Sequence, residues 1–562
     1  MLKKLLPALL LGAAGFGAGA LVARPTAAEP VTVPLLRAAQ ELLGLHFTDA
    51  QLDSAKGAIG RNRGSYDELR KIALPNTVAP ALVFDPVPLR LRLAAPAGKL
   101  GPDRMAPVGK VKLPANRDDL AFYTVRQLGE LLRTKQISSV ELTEFFLARL
   151  RKYSPQLLCV VTLTEELAMQ QARAADAEIK AGRYRGPLHG VPFGVKDLFS
   201  TKTYKTTWGS VPYKDQLLDE DAAVVTRLRD AGAVLVAKFT LGALAMGDVW
   251  FGGRTRSPWD LKQGSSGSSA GSASAVGAGL VPFALGTETL GSIVSPSTAC
   301  GTTGLRPTFG QVSRAGAMAL SWSMDKVGPL TRSAEDCALV FRAIQGEDPR
   351  DVATLLRPRA AADFRCAFDT DVKKLRVGYL KADFEGEYSS KGTDQATLDA
   401  LRKLGVELVP LDLHGLPAGE LTFLLSAEGA AAFDDLTRSG RDALMVNQGK
   451  NAWPTTFRAA RFVPAVEYIQ AQRARRVLIE EVDKRLLGLD AYVGPSFNSP
   501  SLVITNLTGH PAVVVPNGMR PNGLPATITF TGQLYGEAKL LALAKAYQDA
   551  TDFDEKHPPL FQ

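Results

Sequence analysis

The chain has 562 residues, 46% of them hydrophobic and 22% charged, with mean hydropathy near zero. Those values exclude the disordered and fibrous classes and leave room for one large globular domain or several smaller ones. The formal charge of +9 is a small excess of 66 basic over 57 acidic residues. It is spread along the chain, and its richest cluster, Arg473, Arg475 and Arg476, falls in a helical pattern and reads as a solvated face. Nucleic acid is therefore not an expected partner.

At the N-terminus Lys3 and Lys4 precede the apolar run Leu5–Ala23, and Thr26-Ala27-Ala28 supplies small residues before Glu29-Pro30. This is the layout of a secretory signal over residues 1–28, and it predicts an exported protein, periplasmic or extracellular. Pro7, Gly12, Gly15, Gly17 and Gly19 make the run a poor permanent span, although an uncleaved segment over residues 5–23 would tether the chain to a membrane. Cys159, Cys300, Cys337 and Cys366 form no CxxC pair and no metal spacing with the five histidines, and read as free core thiols.

Residues 29–115 read as an accessory region. Helical periodicity over residues 41–58 has Thr48 as an N-cap candidate. The proline-dense stretch from Pro75 to Pro114 is expected to run extended over a surface without building core. From residue 116 the pattern changes to alternating helices and short apolar strands. Helical spacing covers 125–152 with a second start at Ser138-Ser139, then 165–181 and 222–231. Residues 192–195, 233–237, 375–380 and 406–411 read as buried strands. Residues 116–552 are read as one α/β domain, with 553–562 as a C-terminal tail.

The most unusual segment is QGSSGSSAGSASA, Gln263–Ala275. A flexible linker is the plain reading of such a composition. Yet a largely apolar stretch follows, and then a second small-residue loop, Gly286-Thr287-Glu288-Thr289-Leu290-Gly291-Ser292, entering Ile293-Val294. Small residues between two core segments fit a backbone that must come close to a ligand.

The segment from Gly267 to Gly316, the PLHGVPFGVKD run at Pro187–Asp197, and the segments Ser321–Ser333 and Thr505–Gly518 together resemble the amidase signature family, in the expected order, across roughly residues 116–552. The resemblance implies an α/β class protein of the amidase signature fold, with α/β/α layers around a large mixed β-sheet. It implies amide-bond hydrolysis through an acyl-enzyme, acting on a small-molecule amide. It assigns Lys196 as base, Ser268 as the bridging serine held through a cis peptide, and Ser292 as nucleophile. The backbone N–H groups of Thr289, Leu290, Gly291 and Ser292 would form the oxyanion hole. The 24 residues separating Ser268 from Ser292 match the family's spacing. No metal or organic cofactor is implied, and a homo-oligomer is left open.

The three side-chain types make chemical sense together. A serine hydroxyl needs a base within hydrogen-bond reach, and a lysine can be that base only when burial keeps its amine neutral. A departure from the family is Leu290, where many members carry glycine. It keeps a backbone N–H, but its side chain must turn away from the site or narrow it.

Other readings of the same residues are weaker. Gly267–Gly271 also fits GxSxG with Ser269 as nucleophile, but no strand leads directly into it. Ser323 and Lys326 fit SxxK, where Gly328-Pro329 would break the required helix. His189, His510 and Lys238 read as structural, and Asp219–Asp221 as the charged first turn of a helix. Within the family, the alternatives are a catalytically inactive binding member and an amidotransferase A subunit. Helices over 423–433 and 456–469 are expected to wall the pocket.

Overall fold

The computed structural model describes residues 30–69, 75–76, 82–88, 90–91, 102–358 and 364–562. The expected export signal over residues 1–28 lies outside them. Among the described residues no helix is long and apolar enough to cross a membrane. The chain divides into two compact units, residues 1–73 and 74–562.

The first unit contains the helices Val33–Leu42 and Asp49–Leu69. The helical periodicity over 41–58 is divided between the two, because Gly44 turns the chain with φ +63. Thr48 does cap the second helix. Its hydroxyl accepts the Gln51 N–H at 3.4 Å, and the Gln51 side chain accepts the Thr48 N–H at 2.8 Å.

Among its described residues, the second unit is built on an 11-stranded mixed sheet flanked by helices. Its strands are β1 (Val160–Leu163), β2 (Pro192–Lys196), β3 (Val234–Phe239), β6 (Phe283–Glu288), β7 (Thr303–Arg306), β8 (Lys326–Thr331), β9 (Arg376–Leu380), β10 (Glu407–Leu411), β11 (Ala491–Pro495), β12 (Ala512–Met519) and β13 (Pro525–Gly532). A separate ribbon pairs β4 (Val249–Trp250) with β5 (Gly253–Arg254). The sheet order is β1-β3-β2-β6-β8-β7-β12-β13-β11-β9-β10. β2 runs parallel to both β3 and β6, and β9 parallel to both β10 and β11, while the remaining pairs are antiparallel. Strands β2, β3, β6 and β8 are buried along their whole length, as expected of strands covered on both faces.

The short apolar runs read from the sequence fall on β2, β3, β9 and β10, and the helix starts at Thr124 and Ser138 carry full capping boxes. Three expectations need correction. The helix placed over 456–469 is two helices, Trp453–Ala460 and Ala465–Arg485, parted where Pro464 cannot continue the first. Arg475, read as part of a solvated face, is 1% exposed. The proline-rich stretch also does more than cross a surface: Pro86, Val87 and Pro88 are buried.

All four cysteines are free and buried. Burial pushes the Cys159, Cys337 and Cys366 thiols up to about 12, so they behave as small apolar groups.

Candidate active site

The parallel register of β2 and β6 sets Val195 opposite Leu285, so Lys196 and Thr287 leave the sheet side by side at the carboxyl ends of their strands. That end of a parallel sheet is where open α/β folds collect their ligands. Lys196 has no solvent exposure. Its Nζ lies 2.8 Å from Ser268 Oγ, 2.9 Å from Thr287 Oγ1 and 3.2 Å from Ser269 Oγ. Burial pushes the amine down to about 7, against the opposing pull of Asp325 and Glu288.

Ser268 follows a cis Gly267–Ser268 peptide and sits just before the helix Ala270–Gly277. Two glycines of this segment are also required by close protein contacts. A side chain at 267 would meet the Gly247 carbonyl oxygen at 1.9 Å, and one at 271 would meet the Cys159 carbonyl oxygen at 2.3 Å. Neither position has room for a side chain.

Ser269 is committed locally. Its hydroxyl donates to the Thr287 carbonyl at 3.1 Å and accepts the Thr287 N–H at 3.2 Å. That leaves the GxSxG reading without a free hydroxyl. Ser292 is half-buried at the end of the second loop, and its carbonyl accepts the Ser269 N–H at 3.2 Å, tying the nucleophile candidate's backbone to the residue beside Ser268.

The turn carrying Thr289–Ser292 is held by Glu288. Its Oε2 accepts the N–H groups of Ile293 and Val294 at 2.8 and 3.0 Å, and its Oε1 accepts from Arg306 at 2.6 Å and Asn506 at 2.9 Å. Burial alone would raise this carboxyl, but Arg306 and the donated hydrogen bonds outweigh it and hold Glu288 at about 2. From the other side Thr289 Oγ1 donates to Asp325 at 2.6 Å, and Asp325 also accepts the N–H groups of Leu320 and Ser321. Gly291 adopts φ +92, a backbone conformation a side chain would strain. Among the described residues, no protein acceptor takes the N–H of Leu290, Gly291 or Ser292. Leu290 packs against the apolar cluster that includes Met324, Leu421, Ile504 and Leu507, so its side chain has a place outside the cleft.

A cavity of about 230 Å³ opens beside this centre and reaches Thr287 and Thr289. Apolar Leu198, Met318, Leu320, Trp322 and Val327 line it, together with Arg314 and Asp325. Neither of the two helices expected to wall the pocket contributes to this lining.

The remaining candidates are structural. His189 Nδ1 accepts the Arg185 N–H at 3.1 Å, and His510 Nδ1 meets the Thr508 hydroxyl at 2.8 Å; burial lowers both rings, His510 to about 4. Lys238 pairs with Asp197 at 3.0 Å, both fully buried. Ser323 donates to Glu428, and Lys326 lies on β8, not one helical turn away. Asp221 accepts from Lys202 N–H and Arg229, ahead of a helix that begins at Ala223. Among the described residues no group of three or more His, Cys, Asp or Glu could hold a metal ion.

The model of the family described as Amidase matches residues 141–506, well over half the chain. The chain belongs to the amidase signature family. It is 34% identical over 488 residues to the A subunit of a glutamyl-tRNA(Gln) amidotransferase from a Synechococcus strain, covering 78% of this chain and 94% of that protein. The corresponding protein of Methylococcus capsulatus is 33% identical over 481 residues, covering 77% of this chain and 98% of that protein. Among solved structures it is similar to the native peptide amidase of Stenotrophomonas maltophilia, with TM-score 0.70 and 31% identity over 79% of this chain and all of that one. As a member of this amidase family, the protein is an enzyme of carbon–nitrogen bond hydrolysis, and its sheet is the amidase signature fold.

Proposed function

We propose that the protein is a stand-alone amide hydrolase in which Ser292 is the nucleophile, Ser268 the proton relay and Lys196 the base, with water as the final acyl acceptor. The observation that carries this reading is the buried Lys196 amine, lowered to about 7, at 2.8 Å from Ser268. A neutral amine has two N–H donors and one lone pair. The Ser269 hydroxyl already donates to the Thr287 carbonyl, so toward Lys196 it acts as an acceptor. With Thr287 taking the second N–H, the lone pair is left for Ser268. Ser268 then gives its proton to Lys196 and can receive the one from Ser292.

As Ser292 Oγ bonds to the amide carbon, its proton passes to Ser268 while the Ser268 proton moves to Lys196. The negative charge on the former carbonyl oxygen is met by the N–H groups of the 289–292 turn, where each donor in a preorganised hole contributes about 3–4 kcal/mol. The C–N bond breaks and the leaving nitrogen recovers the proton by the reverse relay. Water then attacks the Ser292 ester by the same route, and Ser292 leaves reprotonated.

An alkyl fluorophosphonate probe should label the wild type at Ser292 and fail to label Ser292→Ala. Ammonia release from a panel of aliphatic, aromatic and peptide C-terminal amides identifies the substrate class. Labelling that persists in Ser292→Ala overturns the assignment.

The 33–34% identity to amidotransferase A subunits supports a second reading, a glutaminase that works with partner proteins. Glutamine hydrolysis that appears only with a co-purifying partner selects it. Export is proposed on the Lys3-Lys4 and Leu5–Ala23 layout. N-terminal sequencing of protein recovered outside the cytoplasm should begin near Glu29.

A further inference from the structure

The described residues 76–90 of the proline-rich stretch, ahead of the family-matched region, are anchored to the domain at four points, the first of them on the wall of the cavity. Asn76 donates to the Ala319 carbonyl at 2.7 Å and accepts the Ala319 N–H at 2.6 Å. Both Asn76 and Ala319 line the cavity. Farther along, Phe84 lies under the Arg475 guanidinium, 3.6 Å from its ring centroid, and meets Phe309 edge-on at 5.0 Å. Phe309 in turn carries the guanidinium of Arg314, a cavity residue, at 4.8 Å. The Val87 carbonyl accepts from Arg476 at 2.9 Å, and Arg90 forms a two-pronged pair with Asp483 at 2.7 and 3.0 Å.

The same contacts lead on to the oxyanion turn. Arg475 donates to the Ser323 hydroxyl and carbonyl at 2.7 and 2.9 Å, and Glu428 accepts from Ser321 and Ser323. Two residues beyond Ser323 is Asp325, which holds Thr289 at 2.6 Å. The family model matches residues 141–506 and so does not include this stretch. Its contacts also contrast with a surface-crossing role, since Asn76 is hydrogen-bonded to the cavity wall and Phe84 packs on Phe309, which carries the cavity residue Arg314.

We propose that residues 75–76, 82–88 and 90–91 form a strap that sets which acyl groups the cavity accepts, with Asn76 as the specificity-determining residue and Phe84 as a positioning residue. Asn76 satisfies both backbone groups of Ala319 and so pins the wall segment 315–320 inward. Without it those groups must find water, and the wall relaxes outward. A closed wall favours compact acyl groups, and a relaxed one loses contact with them while admitting longer chains. This inference rests on Ser292 being the nucleophile.

The test uses the full mature chain and a series of alkyl fluorophosphonates from methyl to dodecyl, with labelling rates measured at Ser292. In Asn76→Ala and Phe84→Ala the methyl probe should slow about five- to tenfold, as expected for loss of the part-buried Ala319 hydrogen bonds or of the ring contact, while the dodecyl probe is unchanged or faster. Asn76→Asp, which keeps the acceptor for the Ala319 N–H, should fall between. A chain-length profile identical to wild type in folded variants overturns the proposal, as does an equal slowing of every probe, which would mark a purely structural role. If either alanine variant fails to fold, Asn76→Asp and Phe84→Leu give the same comparison. Absence of any Ser292 labelling in the wild type is the distinct result that removes the nucleophile assignment and the strap's role with it.

Discussion

Arg306 donates to Glu288 across 2.6 Å in an ion pair that is 1% and 0% exposed, and the other oxygen of the same carboxylate grips the two N–H groups that follow Ser292. The pair therefore sets the shape of the loop that carries Ser292 as well as bridging β6 and β7.

Glu288→Gln should lower stability by about 3–5 kcal/mol, because Arg306 would remain buried without its countercharge. The pH dependence gives a second signature. The folded carboxyl is held at about 2 against an ordinary 4.5, so its contribution is present above pH 4.5 and is lost as the pH falls toward 2. Urea unfolding from pH 3 to 7 checks both, since the Gln variant should lack this part of the acid sensitivity. Equal stability of the two proteins at pH 7 would contradict the argument.

The amine of Lys196 loses its proton near pH 7, and only the uncharged form accepts from Ser268. kcat/KM should therefore rise about tenfold per pH unit up to about 7 and level off above it. Stability moves the same way for a different reason. The unfolded lysine keeps its proton up to its ordinary 10.5 while the folded one releases it near 7. Folding is thus penalised fully below 7, and the penalty fades between 7 and 10.5. Lys196→Met should abolish activity and stabilise the fold most at neutral pH and below. A flat kcat/KM between pH 5.5 and 9 would remove lysine from the role of base.

Ser292→Ala, Ser268→Ala and Lys196→Ala should each lower kcat by at least about a thousandfold, and combining them should add little, because one proton path needs all three members. Steady-state ammonia release from the best amide of the panel measures this. Independent, multiplying losses would show that the groups do not act in series.

Much of this site is legible in the sequence. Lys196 and the Gly/Ser-rich run are local signals, and the structure brings Lys196 and Ser268 together across 72 positions. The residues that hold the site lie within the same motifs, but nothing local marks their roles. Glu288 and Arg306 give a faint signal, each being the one charge of a short strand and its last residue. Asp325 and Thr287 give none, since their importance comes from register and from loops that meet only after folding. The strap escapes a sequence reading for a related reason. Proline density reports an extended backbone and says nothing of what that backbone lies against, so burial of Pro86 to Pro88 is out of reach. Arg475 misleads because a charged residue in a helical pattern is most often solvated, whereas here Ser323, Leu507 and Phe84 enclose it.

Thr289 offers the sharpest separation of backbone from side chain in the turn. Its N–H belongs to the expected oxyanion hole, while its hydroxyl anchors the turn to Asp325 at 2.6 Å. Thr289→Val preserves the branched shape and the N–H but removes the donor, leaving Asp325 with the Leu320 and Ser321 N–H groups alone. The turn then loses its side-chain tether to Asp325, while those through Glu288 and the Ser292 carbonyl remain. A lost hydrogen bond to a charged acceptor of about 1.5–3 kcal/mol, felt mostly where the oxyanion develops, predicts a fall in kcat of about ten- to a hundredfold with KM little changed. Thr289→Ser retains the hydroxyl and should recover most of the rate. If Val and Ser behave alike, the Asp325 tether has no part in shaping the turn, and the 289–292 N–H groups are held without it.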